Sequence, residues 1–312
     1  MPADNPVPPP APPDPPQRTG RLGYWDQLPA NVRGVVFVMA GGFLLIVMAS
    51  IVKQLGSSLP AVQILFVRSL AGLIVILPLI WKLGFSIVKS QRMGLHLMRG
   101  TVGFVGNVCF FFALINLTIG DTVTIQFSRP LIMVVFAAIF LGEAVGARRA
   151  VTTAVGFLGV LIITRPFGEG FNPWVFSAVG GAVFGSLVVV CVKLLSRTES
   201  TPVIMFYYAL YTTLFSLIPA LFVWEAPTTL EWGLLFLTGA LSIVGQGMFT
   251  HGVGLGETSF VMPFDYLRIV YSFLIGFILF AEVPGIWSIT GACVIVAASV
   301  YLLRLERTKA KD

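Results

Sequence analysis

Charge is what this sequence lacks most. Only 11% of its 312 residues are Asp, Glu, Lys or Arg, against about 25% in a soluble domain. With 56% hydrophobic residues and a mean hydropathy of +0.91, most of the chain is expected to sit in lipid. Cysteine is scarce too. Cys109, Cys191 and Cys293 fall in three different apolar runs, with no CxxC and no Cys/His cluster, so neither a disulfide framework nor a metal site is expected. The two histidines, His96 and His251, are far apart. There is no GxxxxGK[ST] for nucleotide phosphates, so uphill work would need an ion gradient or exchange. There is no HExxH, no nucleophile with a partner and no paired acids, which disfavours a membrane-embedded enzyme and implies no cofactor. No apolar run precedes residue 34, so no signal peptide is expected.

What is present is an alternation of apolar runs and short polar breaks. Residues 1–31, with PVPPPAPPDPP, read as a disordered, polyproline-like cytoplasmic tail. Ten spans follow, near 32–52, 62–82, 95–115, 119–141, 149–165, 174–193, 203–224, 232–252, 259–281 and 285–304. Most approach the roughly 20 residues a helix needs to cross a bilayer. Backbone groups cannot stay unpaired in lipid, so the runs are predicted to be helices: an all-α membrane protein.

The basic residues orient it. With the N-terminus inside, fourteen Lys and Arg lie on the cytoplasmic side (Arg18, Arg21, Arg33, Lys82, Lys89, Arg92, Arg148, Arg149, Lys193, Arg197, Arg304, Arg307, Lys309, Lys311), and two, Lys53 and Arg165, outside. This asymmetry predicts both termini in the cytoplasm. It also accounts for the net charge of +6 without nucleic acid as a partner; the partners expected are the lipid bilayer and a small molecule.

The halves resemble each other at an offset of 139. Val105-Gly106-Asn107 with Phe110 matches Val244-Gly245-Gln246 with Phe249; Arg129 matches Arg268, and Glu143 matches Glu282. A Gly-acid-Thr step recurs at Gly120-Asp121-Thr122 and Gly256-Glu257-Thr258, displaced by three residues. Five spans per half is an odd number, so the second copy enters the membrane from the opposite side. That predicts a 5+5 inverted-topology repeat, residues 32–166 and 173–305, with residues 306–312 a cytoplasmic tail.

Ser128-Arg129-Pro130 through Leu141-Gly142-Glu143, then Gly156-Phe157-Leu158-Gly159-Val160, resembles the EamA-type repeat of the drug/metabolite transporter superfamily. The second copy, Met262-Pro263-Phe264-Asp265-Tyr266-Leu267-Arg268 through Ala281-Glu282, is similar but has Ile269 in place of the mid-helix Pro, Ala281 in place of the Gly and Ala298-Ser299 in place of Gly-Val. The resemblance covers about residues 32–305 and implies ten helices, a central cavity and alternating access. The paired Ser-Arg-Pro and Pro-Phe-Asp-Tyr-Leu-Arg segments are similar to bacterial subgroups that include riboflavin and S-adenosylmethionine transporters.

Charges inside hydrocarbon need a reason, at roughly 2.5 to 3.5 kcal/mol each on insertion scales. Arg129 and Arg268 fall near the middle of the fourth and ninth spans and are expected to face a central cavity. Asp265, three residues from Arg268, shares its face and can pair with it; the pair reads either as a substrate or proton-coupling site or as a structural ion pair. Gln126 lies three residues before Arg129. Asn107 and Gln246 are repeat-matched amides, read as ligand groups or as interhelical hydrogen bonds. Tyr208 and Tyr266, with Tyr207 and Tyr211, can stack on a planar ligand or belong to an interfacial belt. Arg68 is a further candidate, although it and Arg99 are nearer span ends, where snorkelling is the plain explanation. Glu143 and Glu282 are expected to position loops, and His251 to be a bystander. Pro130 is expected to kink the fourth helix and open carbonyls to the cavity.

An excess of arginine favours a ligand with carboxylate, phosphate or carbonyl acceptors and disfavours lipophilic cations. The reading is a secondary transporter in the bacterial inner membrane. Riboflavin is the first substrate expected; S-adenosylmethionine or an amino-acid-like or other carboxylate metabolite is the alternative, and a channel is the alternative class. Asp265 is the one carboxylate placed well inside a span and is expected to titrate during transport.

Overall fold

The computed structural model describes residues 28–84, 90–141, 147–165, 172–195, 198–255 and 261–309. The N-terminal tail as far as residue 27, together with Glu143 and Glu257, lies outside them. Among the described residues there is no strand. The helices are α1 (Ala30–Leu55), α2 (Ala61–Leu83), α3 (Met93–Asn116), α4 (Ile119–Gln126), α5 (Arg129–Leu141), α6 (Ala147–Thr164), α7 (Val175–Leu195), α8 (Thr201–Phe222) and α9 (Thr229–Leu255). A 3-10 turn (Met262–Tyr266) then runs into α10 (Leu267–Phe280), and α11 is Ile286–Lys309.

These helices fall on the ten apolar runs in order, the fourth run holding α4 and α5. Seven stretches among the described residues are long and apolar enough to cross a membrane, and Ala150–Thr164 and Ile286–Tyr301 are shorter apolar helices. The protein is a multi-pass membrane protein. Its outer surface is apolar: Phe222, Leu230, Phe176 and Ile278 are largely exposed, while Arg68, Arg99, His96 and Asp265 are buried. That is the arrangement lipid demands, with polar groups turned toward the bundle interior.

The main packing pairs are α1 with α9, α3 with α7, α6 with α11 and α2 with α8, followed by α2 with α9 and α3 with α8; α4 packs on α10. Small residues set the closest approaches. A Cβ at Gly41 of α1 would lie 2.7 Å from the carbonyl oxygen of Gly245 and 2.8 Å from the amide of Phe249, both on α9. Gly41→Ala must therefore push two backbones apart. Overpacking of this kind costs about 1–3 kcal/mol, so the unfolding midpoint in detergent should fall by roughly 5 °C. Gly94→Ala, where nothing lies within 4 Å, is the control. Equal midpoints for the two variants would contradict this contact.

The fourth span is not the kinked continuous helix expected around Pro130. It breaks at Phe127-Ser128, where Phe127 N bonds to Thr124 O at 3.0 Å and Ser128 N to Ile125 O at 3.0 Å. Ser128 O then accepts from Leu131 N at 2.9 Å and Ile132 N at 3.1 Å, starting α5. Pro130 sits in the first turn of α5, where its missing donor costs nothing. Two carbonyls at the break lie within reach of serine hydroxyls on neighbouring helices. Ser299 Oγ of α11 donates to Phe127 O at 3.4 Å, and Ser186 Oγ of α7 donates to Arg129 O at 3.4 Å.

Candidate functional site

The two breaks bring the candidate residues together. Arg129 opens α5 and Arg268 lies in the first turn of α10, so both guanidiniums leave from helix starts rather than from the middle of unbroken spans. Arg268 Nη2 meets Asp265 Oδ2 at 2.6 Å; the Asp265 side chain is 7% exposed and that of Arg268 26%. The Arg268 guanidinium lies 5.2 Å from the Phe127 ring and 5.5 Å from that of Phe249. Phe127 and Tyr266 put their ring centroids 5.1 Å apart, so the break of the fourth span touches that of the ninth.

Arg129 donates to Gln126 Oε1 through Nη2 at 2.6 Å and through Nε at 3.2 Å. Gln126 Nε2 in turn donates to Ala178 O at 3.1 Å. Arg129 lies near enough to Arg268 and Asp265 to feel their charges. Glycines of neighbouring helices make the room. A Cβ at Gly185 of α7 would come within 2.7–2.9 Å of the Arg129 guanidinium, and one at Gly42 of α1 would lie 2.7 Å from Arg268 Cγ.

Tyr208 of α8 meets Asn107 and Arg99 of α3. Its hydroxyl accepts from Asn107 Nδ2, and its ring lies 4.5 Å from the Arg99 guanidinium. Arg68 donates to Ser242 Oγ at 2.6 Å and lies 5.3 Å from the Phe111 ring. Arg68 and Arg99 are each 8% exposed, so neither snorkels; they point into the bundle, where aromatic faces and hydroxyls replace water. Among the described residues, Arg68, Arg99 and Arg129 have no carboxylate within 4.0 Å, and Arg268 has only Asp265.

Gln246 departs from its repeat mate. It is exposed on α9 and outside this network. Asn107 is held by Tyr208; the residue 139 positions before Tyr208 is Ser69, whose side chain is too short to reach across to an amide. Tyr207 and Tyr211 stack on each other with centroids 6.0 Å apart, and Tyr207 is 6% exposed, so these two form a packed interior stack. His251 is exposed and lies edge-on to Phe37. Glu282 ties a connection, as expected: it pairs with Lys53 at 2.7 Å and accepts from Ile119 N at 2.9 Å, while Lys53 also donates to Leu117 O. Glu282, Lys53 and Leu117 line a polar cavity of about 460 Å³ with Asp121, Arg165 and Asn172. Ile125, one turn before Arg129, forms part of its wall.

The profile of the EamA-like transporter family matches residues 32–165 and again residues 172–304. The chain belongs to that family. It is 31% identical over 280 residues to the pseudopaline exporter of Pseudomonas aeruginosa, covering 88% of this chain and 97% of that one. It is 29% identical over 255 residues to an S-adenosylmethionine uptake transporter of Rickettsia bellii, covering 82% and 88% of the two chains. It is 28% identical over 287 residues to a riboflavin transporter of Vibrio cholerae, covering 90% and 96%. A solved crystal structure shares the fold with a TM-score of 0.61 over 87% of this EamA-family chain and 97% of that chain, at 18% identity.

Proposed function

We propose that this EamA-family protein is a secondary transporter that moves a small carboxylate-bearing organic metabolite across the bacterial cytoplasmic membrane by alternating access. The observation that carries the reading is the set of three buried or half-buried guanidiniums, Arg68, Arg99 and Arg129, with no carboxylate within 4.0 Å among the described residues. Guanidiniums are forked donors suited to carboxylates.

Alternating access in two oppositely oriented five-helix halves is supported by three observations. The family profile matches twice in tandem. Exchanging each span for the one five later leaves the main packing pairs unchanged. The close approach of Gly41 to Gly245 is mirrored by that of Gly181 to Gly106. Both termini are read as cytoplasmic from the basic residues.

A substrate carboxylate entering the centre competes with Asp265 for Arg268. The displaced Asp265 carboxylate is then free to accept a proton, which links substrate to an ion gradient. A flavin is the second reading, favoured by the rings of Phe127, Tyr266 and Tyr208 beside the guanidiniums; riboflavin and S-adenosylmethionine are both named among the relatives' substrates. Counterflow in proteoliposomes with labelled amino acids, di- and tricarboxylates, S-adenosylmethionine and riboflavin tests these readings. Saturable exchange of a carboxylate-bearing compound is expected. Exchange of riboflavin alone would move the assignment to the flavin, non-saturating flux would indicate a channel, and no exchange with any of them would count against transport of this class.

A further inference from the structure

We propose that His96 is a proton-binding site at the predicted cytoplasmic end of the bundle, and that its protonated ring pairs with Glu199 to latch α3 to the segment that starts α8. Its role in gating rests on the transporter reading above; the site itself does not.

His96 lies in the first turn of α3 and is 1% exposed. Neither ring nitrogen has a hydrogen-bond partner among the described residues, although buried polar groups are satisfied in the great majority of cases. Nε2 stands 4.0 Å from Glu199 Oε1, whose side chain is 10% exposed. Ser90 Oγ donates to the same Glu199 oxygen at 2.5 Å. Glu199 thus already joins the segment before α3 to the segment before α8, and His96 stands one short movement from joining it.

The ring's other surroundings leave Glu199 as the natural partner. Tyr207 of α8 covers one face, with centroids 4.4 Å apart. Arg99, one turn along α3, is the nearby like charge, but its guanidinium is turned to the Tyr208 ring and the Ile204 carbonyl. Cys191 of α7 lies beside Arg99 and brings no carboxylate. Arg92, before α3, is exposed. A neutral imidazole offers one donor and one acceptor; a proton makes both nitrogens donors. The 4.0 Å approach then becomes a charge-assisted hydrogen bond, and losing the proton releases it. The cluster lies toward the opposite end of α3 from the cavity beside Glu282, so the latch acts on one end of the bundle.

The chain has two histidines, so His251→Asn leaves His96 as the only ring in the full-length protein. In that variant, histidine-labelled and held in lipid nanodiscs, NMR should show the ring passing from neutral to imidazolium on acidification. Glu199→Gln should move the midpoint. A ring that stays neutral throughout, or a midpoint indifferent to Glu199→Gln, overturns the proposal. The latch is read from buried Cys191 in a Cys109→Ser, Cys293→Ser background. Alkylation by an impermeant maleimide, normalised to a free thiol at each pH, should fall about tenfold on acidification. His96→Gln and Glu199→Gln should each abolish that fall; a fall that persists in both overturns the latch. Failure of counterflow for every metabolite, with the NMR transition intact, would sink the transport reading and leave the proton site standing.

Discussion

Arg129→Ala should lower counterflow by roughly a hundredfold and leave the protein folded and inserted. Arg129 has no carboxylate partner among the described residues; its contacts are Gln126 Oε1 and the space left by Gly185. Truncating one side of a buried charged hydrogen bond to a ligand costs about 2–5 kcal/mol, so a middle value of about 3 kcal/mol gives the hundredfold. The fold should not suffer, because an unpaired cation in hydrocarbon is itself costly and its removal leaves no carboxylate stranded. Arg129→Lys should recover only part of the rate, since a point charge does not replace the fork. Gly185→Ala offers a graded version: its Cβ would press into the guanidinium at 2.7–2.9 Å and should weaken substrate affinity more than it lowers the melting temperature. Initial rates over a range of substrate concentrations, with melting curves in the same detergent, check all three. Wild-type exchange by Arg129→Ala would place the substrate elsewhere.

The site was legible in the sequence where the physics is a matter of cost. A charge in an apolar run is conspicuous, so Arg129, Arg268 and Asp265 stood out, and spacings of three joined Asp265 to Arg268 and Gln126 to Arg129, both of which contacts are made. What a linear reading lacks is rotation about the helix axis. Arg68 and Arg99 are near enough to span ends to suggest snorkelling, yet both face inward, because their faces meet Tyr208, Phe111 and Ser242. The helix break was hidden for a different reason. Pro130 marks the neighbourhood, but the turn at Phe127-Ser128 is closed by backbone bonds and by serines on α7 and α11 far away in sequence. Phe127, Gly42 and Gly185 carry no charge to announce them; their importance comes from what they leave room for or lie against. Gln246 departs from its repeat mate Asn107, because the position that matches Tyr208 holds Ser69 in place of a tyrosine.

Breaking the Asp265–Arg268 pair from one side should cost far more than removing it whole. Asp265→Asn leaves Arg268 beside Arg129 with no carboxylate to separate two like charges. Losing one member of a buried pair costs about 3–5 kcal/mol; Arg268 is 26% exposed, so solvent screening brings the expected loss to about 2–3 kcal/mol. Arg268→Gln should cost less, because Arg129 is close enough to Asp265 to act on it in Arg268's place. The double variant Asp265→Asn, Arg268→Gln removes both charges and should regain most of the stability. Melting midpoints of the four proteins give the coupling directly, and singles that sum to the double would mean that the 2.6 Å contact contributes nothing. Transport should follow a different order. Asp265→Asn should keep substrate exchange, since Arg68, Arg99, Arg129 and Arg268 remain, yet lose accumulation driven by a pH gradient, because the displaced group can no longer take a proton. If that variant accumulates substrate as the wild type does, proton coupling does not pass through Asp265.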